Sequence, residues 1–171
     1  WSSDVCSSDL DFNASVGQTT RLDQLRIVSV TNATFDQAVS AEAILQDAGS
    51  GITTFTGMIN TNTTPGTNLT GTTLVLNGGV TSTTSGVLTA TMTNTITVGP
   101  STTSSVNGAV TLNAINGITM QTSAVLSSAA AVLFKTTSNS ITLQSAAQLS
   151  STGANVVLEA EDSISLAANS L

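Results

Sequence analysis

Aliphatic and hydroxyl residues alternate in a phrase that returns along the chain: NTITVG from Asn94, NGITMQ from Asn116, NSITLQ from Asn139 and DSISLA from Asp162. Successive starts lie 22, 23 and 23 residues apart, a period that belongs to stacked-repeat architectures. Ile96 and Val98, Ile118 and Met120, Ile141 and Leu143, and Ile164 and Leu166 are each two apart. A period of two predicts a strand with one apolar face, and it puts Thr97, Thr119, Thr142 and Ser165 on the other face as a row of hydroxyls. Matching apolar positions run the length of the chain, through Phe12, Phe35, Phe55, Leu76, Val98, Met120, Leu143 and Leu166, at intervals of 20 to 23 residues.

A second alternating segment sits late in each unit, as at Val110 and Leu112 or Val156 and Leu158, with shorter relatives around Val87 to Ala90 and Val132 to Phe134. Between the two lie short apolar elements: Val39, Met58 and Ile59, Val80, Val125 and Leu126, and Leu149. Each unit therefore predicts two clear strands and a weaker third. Gly, Asn, Ser and Asp gather between them, where turns need their conformational range, and Pro65 and Pro100 also fall outside the alternating segments. Ala41 to Asp47 (AEAILQD) is the best helix candidate, but it is too short to stand alone. Its place in the unit reads as strand.

One unit cannot fold alone, because four or five buried aliphatic side chains do not offset the ordering of some twenty backbone positions. Stacking the units supplies backbone hydrogen bonds along every strand and closes the apolar interior from both sides. The predicted fold is all-β, a parallel β-helix (β-solenoid) of about seven coils with 20–23 residues per coil. In that fold Asn94, Asn116, Asn139 and Asp162 stack at one corner as a structural ladder, Thr97, Thr119, Thr142 and Ser165 form a second ladder, and Gln121 lies over Gln144 in an amide pair.

Composition sets the start of the chain apart from the repeats. Residues 1–10, WSSDVCSSDL, hold the only Trp and the only Cys and join no repeat. Back-translated, the segment resembles a short-read sequencing adapter, so it reads as a non-native assembly artefact, set apart from the repeat region 11–171. The repeat region then reads as an internal fragment of a longer protein. Without Asp4 and Asp9 the formal net charge moves from −7 to −5. The remaining residues contain no Cys, His, Trp or Tyr, which leaves no thiol or imidazole chemistry. No run approaches the roughly 18 apolar residues of a membrane helix. A negative balance with three basic residues speaks against nucleic acid as a partner.

Candidate chemistry is sparse. With no His and a single Lys, Lys135, no nucleophile and base can be paired, and no catalytic, cofactor-binding or metal site is expected. Glu159, Glu161 and Asp162 form the one tight carboxylate cluster. Three hard oxygen ligands at a turn could hold a cation, but the bland reading, a solvated acidic corner, is preferred because no calcium-loop motif surrounds them. Glu42, Asp47 and Asp36 read as surface carboxylates. A polysaccharide-binding or polysaccharide-cleaving β-helix is the alternative, and it requires Arg21, Arg26 and Asp36 to meet around a cleft. Asn-x-Ser/Thr sequons occur at Asn13, Asn32, Asn62 and Asn68.

The early repeats, FNASVG, NATFDQAVSA and GSGITTFTGMINTNTTPGTNLTG, resemble those of bacterial beta-strand repeat surface proteins, which are similar to filamentous-haemagglutinin-type adhesins and autotransporter passengers. The resemblance is strongest before Thr81. It implies a right-handed helix, secretion to an extracellular or cell-surface location, and a non-catalytic structural or adhesive role. The partners it implies are glycans or cell surfaces and neighbouring repeats.

Overall fold

A computed structural model describes residues 9–170, and the chain winds through them as stacked coils. Coil one carries β1 (Leu10–Phe12) and β2 (Leu22–Ile27), and coil two β3 (Ala33–Phe35) and β4 (Val39–Gln46). Coil three has β5 (Ile52–Phe55), β6 (Ile59–Thr61) and β7 (Thr67–Gly71), and coil four β8 (Thr73–Leu76), β9 (Val80–Ser82) and β10 (Leu88–Met92). Coil five has β11 (Thr95–Val98), β12 (Thr103–Val106) and β13 (Val110–Ala114), and coil six β14 (Gly117–Met120), β15 (Val125–Ser128) and β16 (Val132–Thr136). Coil seven has β17 (Ile141–Leu143), β18 (Gln148–Ser151) and β19 (Val156–Glu159), and β20 (Ile164–Leu166) begins an eighth. All strand pairs are parallel, and the described residues contain no helix. The protein is a β-solenoid of about seven turns.

Each coil contributes to three faces. The first is an eight-stranded sheet, β1-β3-β5-β8-β11-β14-β17-β20. The second and third are joined into one twelve-stranded sheet by β4, whose first residues pair with β6 and whose last pair with β2 and β7. That strand is the AEAILQD segment, so the strand reading of it holds. Its small Ala41 and Ala43, both buried, let one strand carry the chain from one face to the next.

The recurring apolar column is continuous. Phe12 pairs with Phe35, Phe35 with Phe55, and the register passes through Leu76, Val98, Met120 and Leu143 to Leu166. The three rings stack face to face, with centroids 4.8 and 4.6 Å apart and interplanar angles of 13° and 3°. The strand spacing, about 4.8 Å, imposes that distance. Ile96, Ile118 and Ile141 form the neighbouring buried column. Further buried columns come from the third face, as Leu69, Ala90, Leu112 and Phe134.

The corner between the first and second faces changes along the rod. In the early coils it runs from Phe35 to Val39, or Leu76 to Val80; from coil five it gains two residues and runs from Val98 to Ser104, or Met120 to Leu126. The longer corner places Ser101, Ser123, Ala146 and Asn169 at φ of 55° to 60°. This left-handed conformation is costly for side-chain-bearing residues, but it points each N–H along the rod. Ser101 N donates to Thr122 O, Ser123 N to Ser145 O and Ala146 N to Ala168 O, at 3.0, 3.0 and 3.2 Å. The residue that follows turns inward and is buried: Thr102, Ala124 and Ala147.

Candidate functional site

Of the polar rows expected at the first face, the hydroxyl row is in register, whereas the corner asparagines join only in part. Thr97, Thr119 and Thr142 stack with Ser165 on the outward side of the first face. At the corner before that face, Asn116 Nδ2 donates to Asn94 Oδ1 at 3.0 Å, and Asn94 Nδ2 donates to Thr73 Oγ1 at 3.1 Å. The amide ladder then changes hands. Asn139 Oδ1 accepts from the N–H of its neighbour Ser140 at 2.8 Å. Ser140 Oγ, not Asn139, reaches the next coil, bonding Asp162 Oδ2 at 3.1 Å and Ser163 Oγ at 2.8 Å. The expected Gln121–Gln144 pair does not form, because Gln144 Oε1 accepts from Thr122 N and Oγ1 at 3.2 and 3.3 Å.

The interior holds a hydroxyl column that the alternation of apolar residues does not announce. Thr61, Ser82, Ser128 and Ser151 are in register at the end of the second face, with Val106 interrupting the hydroxyls in coil five. Ser82 Oγ donates to Gly86 O at 2.6 Å, Ser128 Oγ to Gly108 O at 2.8 Å, and Ser151 Oγ to Ala130 O at 2.6 Å. These bonds fasten carbonyls of the second corner, of which Gly86 O also accepts from Gly108 N and Ala130 O also accepts from Ser128 Oγ. The sequence signal was a Ser or Thr two residues after the short apolar element, as in Val80-Thr-Ser82 and Leu126-Ser-Ser128.

The charged residues are engaged between coils. Arg21 Nη1 donates to Ala41 O and Asn60 O, both at 2.9 Å, and Nη2 donates to Asn60 Oδ1 at 2.9 Å, so one guanidinium ties coils one, two and three. Arg26 pairs with Asp47 at 2.7 Å, and Lys135 with Glu159 at 2.8 Å. Neither arginine bonds Asp36, so the structure does not bring together the Arg21, Arg26 and Asp36 group that a carbohydrate-cleaving site requires. Of the acidic cluster, Glu159 faces Lys135 and Asp162 accepts from Ser140. Among the described residues no group of three His, Cys, Asp or Glu is placed to hold a metal ion.

Lys135 has its pKa raised by the hydrogen bond to Glu159 and by that carboxylate's charge, against a small opposing desolvation. Beside it, a groove of about 300 Å³ runs across the outer edge of the third face, with Met92, Ala114 and Ile115 as an aliphatic floor and Thr91, Asn113 and Thr137 at its margin. Asn113 Oδ1 is buried there without a hydrogen-bond partner. No helix of the described structure is long and apolar enough to cross a membrane. No protein-family model, curated protein or solved structure matches the chain.

Proposed function

We propose that the chain is a structural or adhesive repeat segment of a secreted or cell-surface bacterial protein, acting through an elongated stacked shape and its outward polar rows, without catalysis. The observation that carries this reading is the continuity of stacking: the apolar column from Phe12 to Leu166 and the hydroxyl column from Thr97 to Ser165 keep register from coil to coil. Each coil adds about 4.8 Å of length, so repetition converts sequence into reach. The inter-coil bonds of Arg21, Arg26 and Lys135 add lateral ties to the same rod.

Antibodies raised against the purified chain test the location. They should label intact producing cells, and labelling that appears only after the envelope is permeabilised would overturn the surface reading. A screen of the chain on immobilised glycans and cultured cells then separates the two roles. Saturable retention supports an adhesive surface, and none leaves a stalk.

A further inference from the structure

The chain holds three methionines, and the fold gives them unequal access to solvent. Met92 and Met120 are buried, 2% and 0% exposed, and Met120 stands in the apolar column between Val98 and Leu143. Met58, immediately before β6, is 43% exposed. Its backbone is fixed: Met58 O accepts from Val39 N at 2.9 Å, and the N–H of the next residue, Ile59, donates to Gly79 O at 3.1 Å. Its side chain is left uncovered by the coils on either side. Val39, Ile59 and Val80 are in register, so the positions stacked on Met58 are Ala38 in coil two and Gly79 in coil four, which carry a methyl group and no side chain. Thr81 Oγ1 of coil four donates to Met58 Sδ at 3.5 Å. That contact engages one of the two lone pairs on sulfur and leaves the other open.

We propose that Met58 is a site of reversible oxidation by peroxides, and that the Thr81 hydroxyl directs which lone pair of the sulfur takes the oxygen. In the step the open lone pair of Sδ attacks one oxygen of the peroxide, so that an S–O bond forms and the O–O bond breaks. The departing oxygen leaves with the bonding pair and takes up the proton released from the transferred oxygen, as water when the oxidant is hydrogen peroxide. Sulfur is oxidised by two electrons and the peroxide is reduced by two. The product is a sulfoxide, chiral at sulfur, which a sulfoxide reductase returns to the thioether. Because Thr81 holds one lone pair, one epimer dominates. The two buried methionines are closed to this chemistry, since peroxide reaches them only when the coils open. An oxygen on Met120 would also enter the apolar column without a hydrogen-bond donor. An oxygen on Met58 lies in water, so oxidation there leaves the coils stacked.

The test treats the full 171-residue chain with hydrogen peroxide, folded and in urea, and follows each methionine by peptide mass spectrometry. Cys6, whose thiol also consumes peroxide, is scored on its own peptide. In urea the three methionines should oxidise at one rate. In the folded chain Met58 should react nearly as fast as in urea, while Met92 and Met120 slow by about a hundredfold or more. The epimers are counted by which of two epimer-specific reductases returns each to methionine. The folded wild-type chain should show one epimer in about threefold excess, the bias that one weak hydrogen bond supplies. Thr81→Val, which keeps the shape and removes the donor, should give equal epimers and leave the order of rates unchanged. Conversion of Met58 should not move the circular dichroism spectrum or the midpoint of urea unfolding. The proposal is overturned if Met58 oxidises no faster than Met92 and Met120 in the folded chain, if its epimers form equally in the wild type, or if its conversion lowers the unfolding midpoint.

Discussion

Thr67 sits in a buried column of the third face, with Ile44 on one side and Leu88 on the other, and its hydroxyl has no hydrogen-bond partner. Val110 and Val132 continue the same column with a methyl where Thr67 carries oxygen. Thr67→Val keeps the shape and removes the desolvated hydroxyl, so it should stabilise the chain by about 1 kcal/mol. The measurement is the midpoint of urea unfolding, and a lower midpoint would show that Thr67 has a partner in solution. Ala146 gives a second single-residue handle. At φ 58° it carries a Cβ in the left-handed region, and Ala146→Gly removes that strain while adding freedom to the unfolded chain. The two effects oppose, and the net gain should be about 0.5–1 kcal/mol, read in the same experiment.

Among the elements, the first face was legible in the sequence because its strands alternate apolar and hydroxyl residues with nothing else asked of them. Ile118, Thr119 and Met120 each have one task, to pack, to face water and to pack again. The second face was harder to read because its inward positions are shared between packing and corner chemistry. Ser104 occupies the inward column between Val80 and Leu126, is buried, and accepts from Val80 N at 3.0 Å. A lone serine there reads as loop. Side-chain pairing between coils was also beyond the pattern, since Gln144 chose Thr122 and Ser140 took the role assigned to Asn139.

Lys135 and Glu159 tie β16 to β19 at a position the repeat gives no reason to single out. Because Lys135 binds its proton more tightly when folded, the pair's contribution is complete at pH below the unfolded lysine value. It disappears as pH rises through the raised folded value. Lys135→Gln should therefore lower the unfolding midpoint slightly near neutral pH and leave no difference from wild type above the lysine range. Because both side chains are exposed, added salt should also shrink the neutral-pH difference. A difference that persists at high pH would assign the effect to packing of the lysine stem instead.

At the scale of the whole molecule, the two ends of a parallel solenoid are not equivalent. Among the described residues, β18, β19 and β20 are the last strands of their faces at the far end. Ile164 and Leu166 continue the inward columns of Ile141 and Leu143, yet both are 44% exposed. Edges of this kind template further pairing, and a contact between unlike ends does not close on itself, so it adds copies without limit. Sedimentation velocity should show association that grows with protein concentration. It should strengthen with salt, because the chain's net charge of −7 opposes contact between copies. Ile164→Lys with Leu166→Lys, which places cations in the open cross-section, should return the chain to monomer. Thr97→Lys, on the outward side of the same face and far from either end, should leave association unchanged. Monomer at every concentration in the wild-type chain would mean that the exposed end is covered by its own residues. Equal loss of association from Thr97→Lys would trace it to the outward side of the first face rather than to the edge.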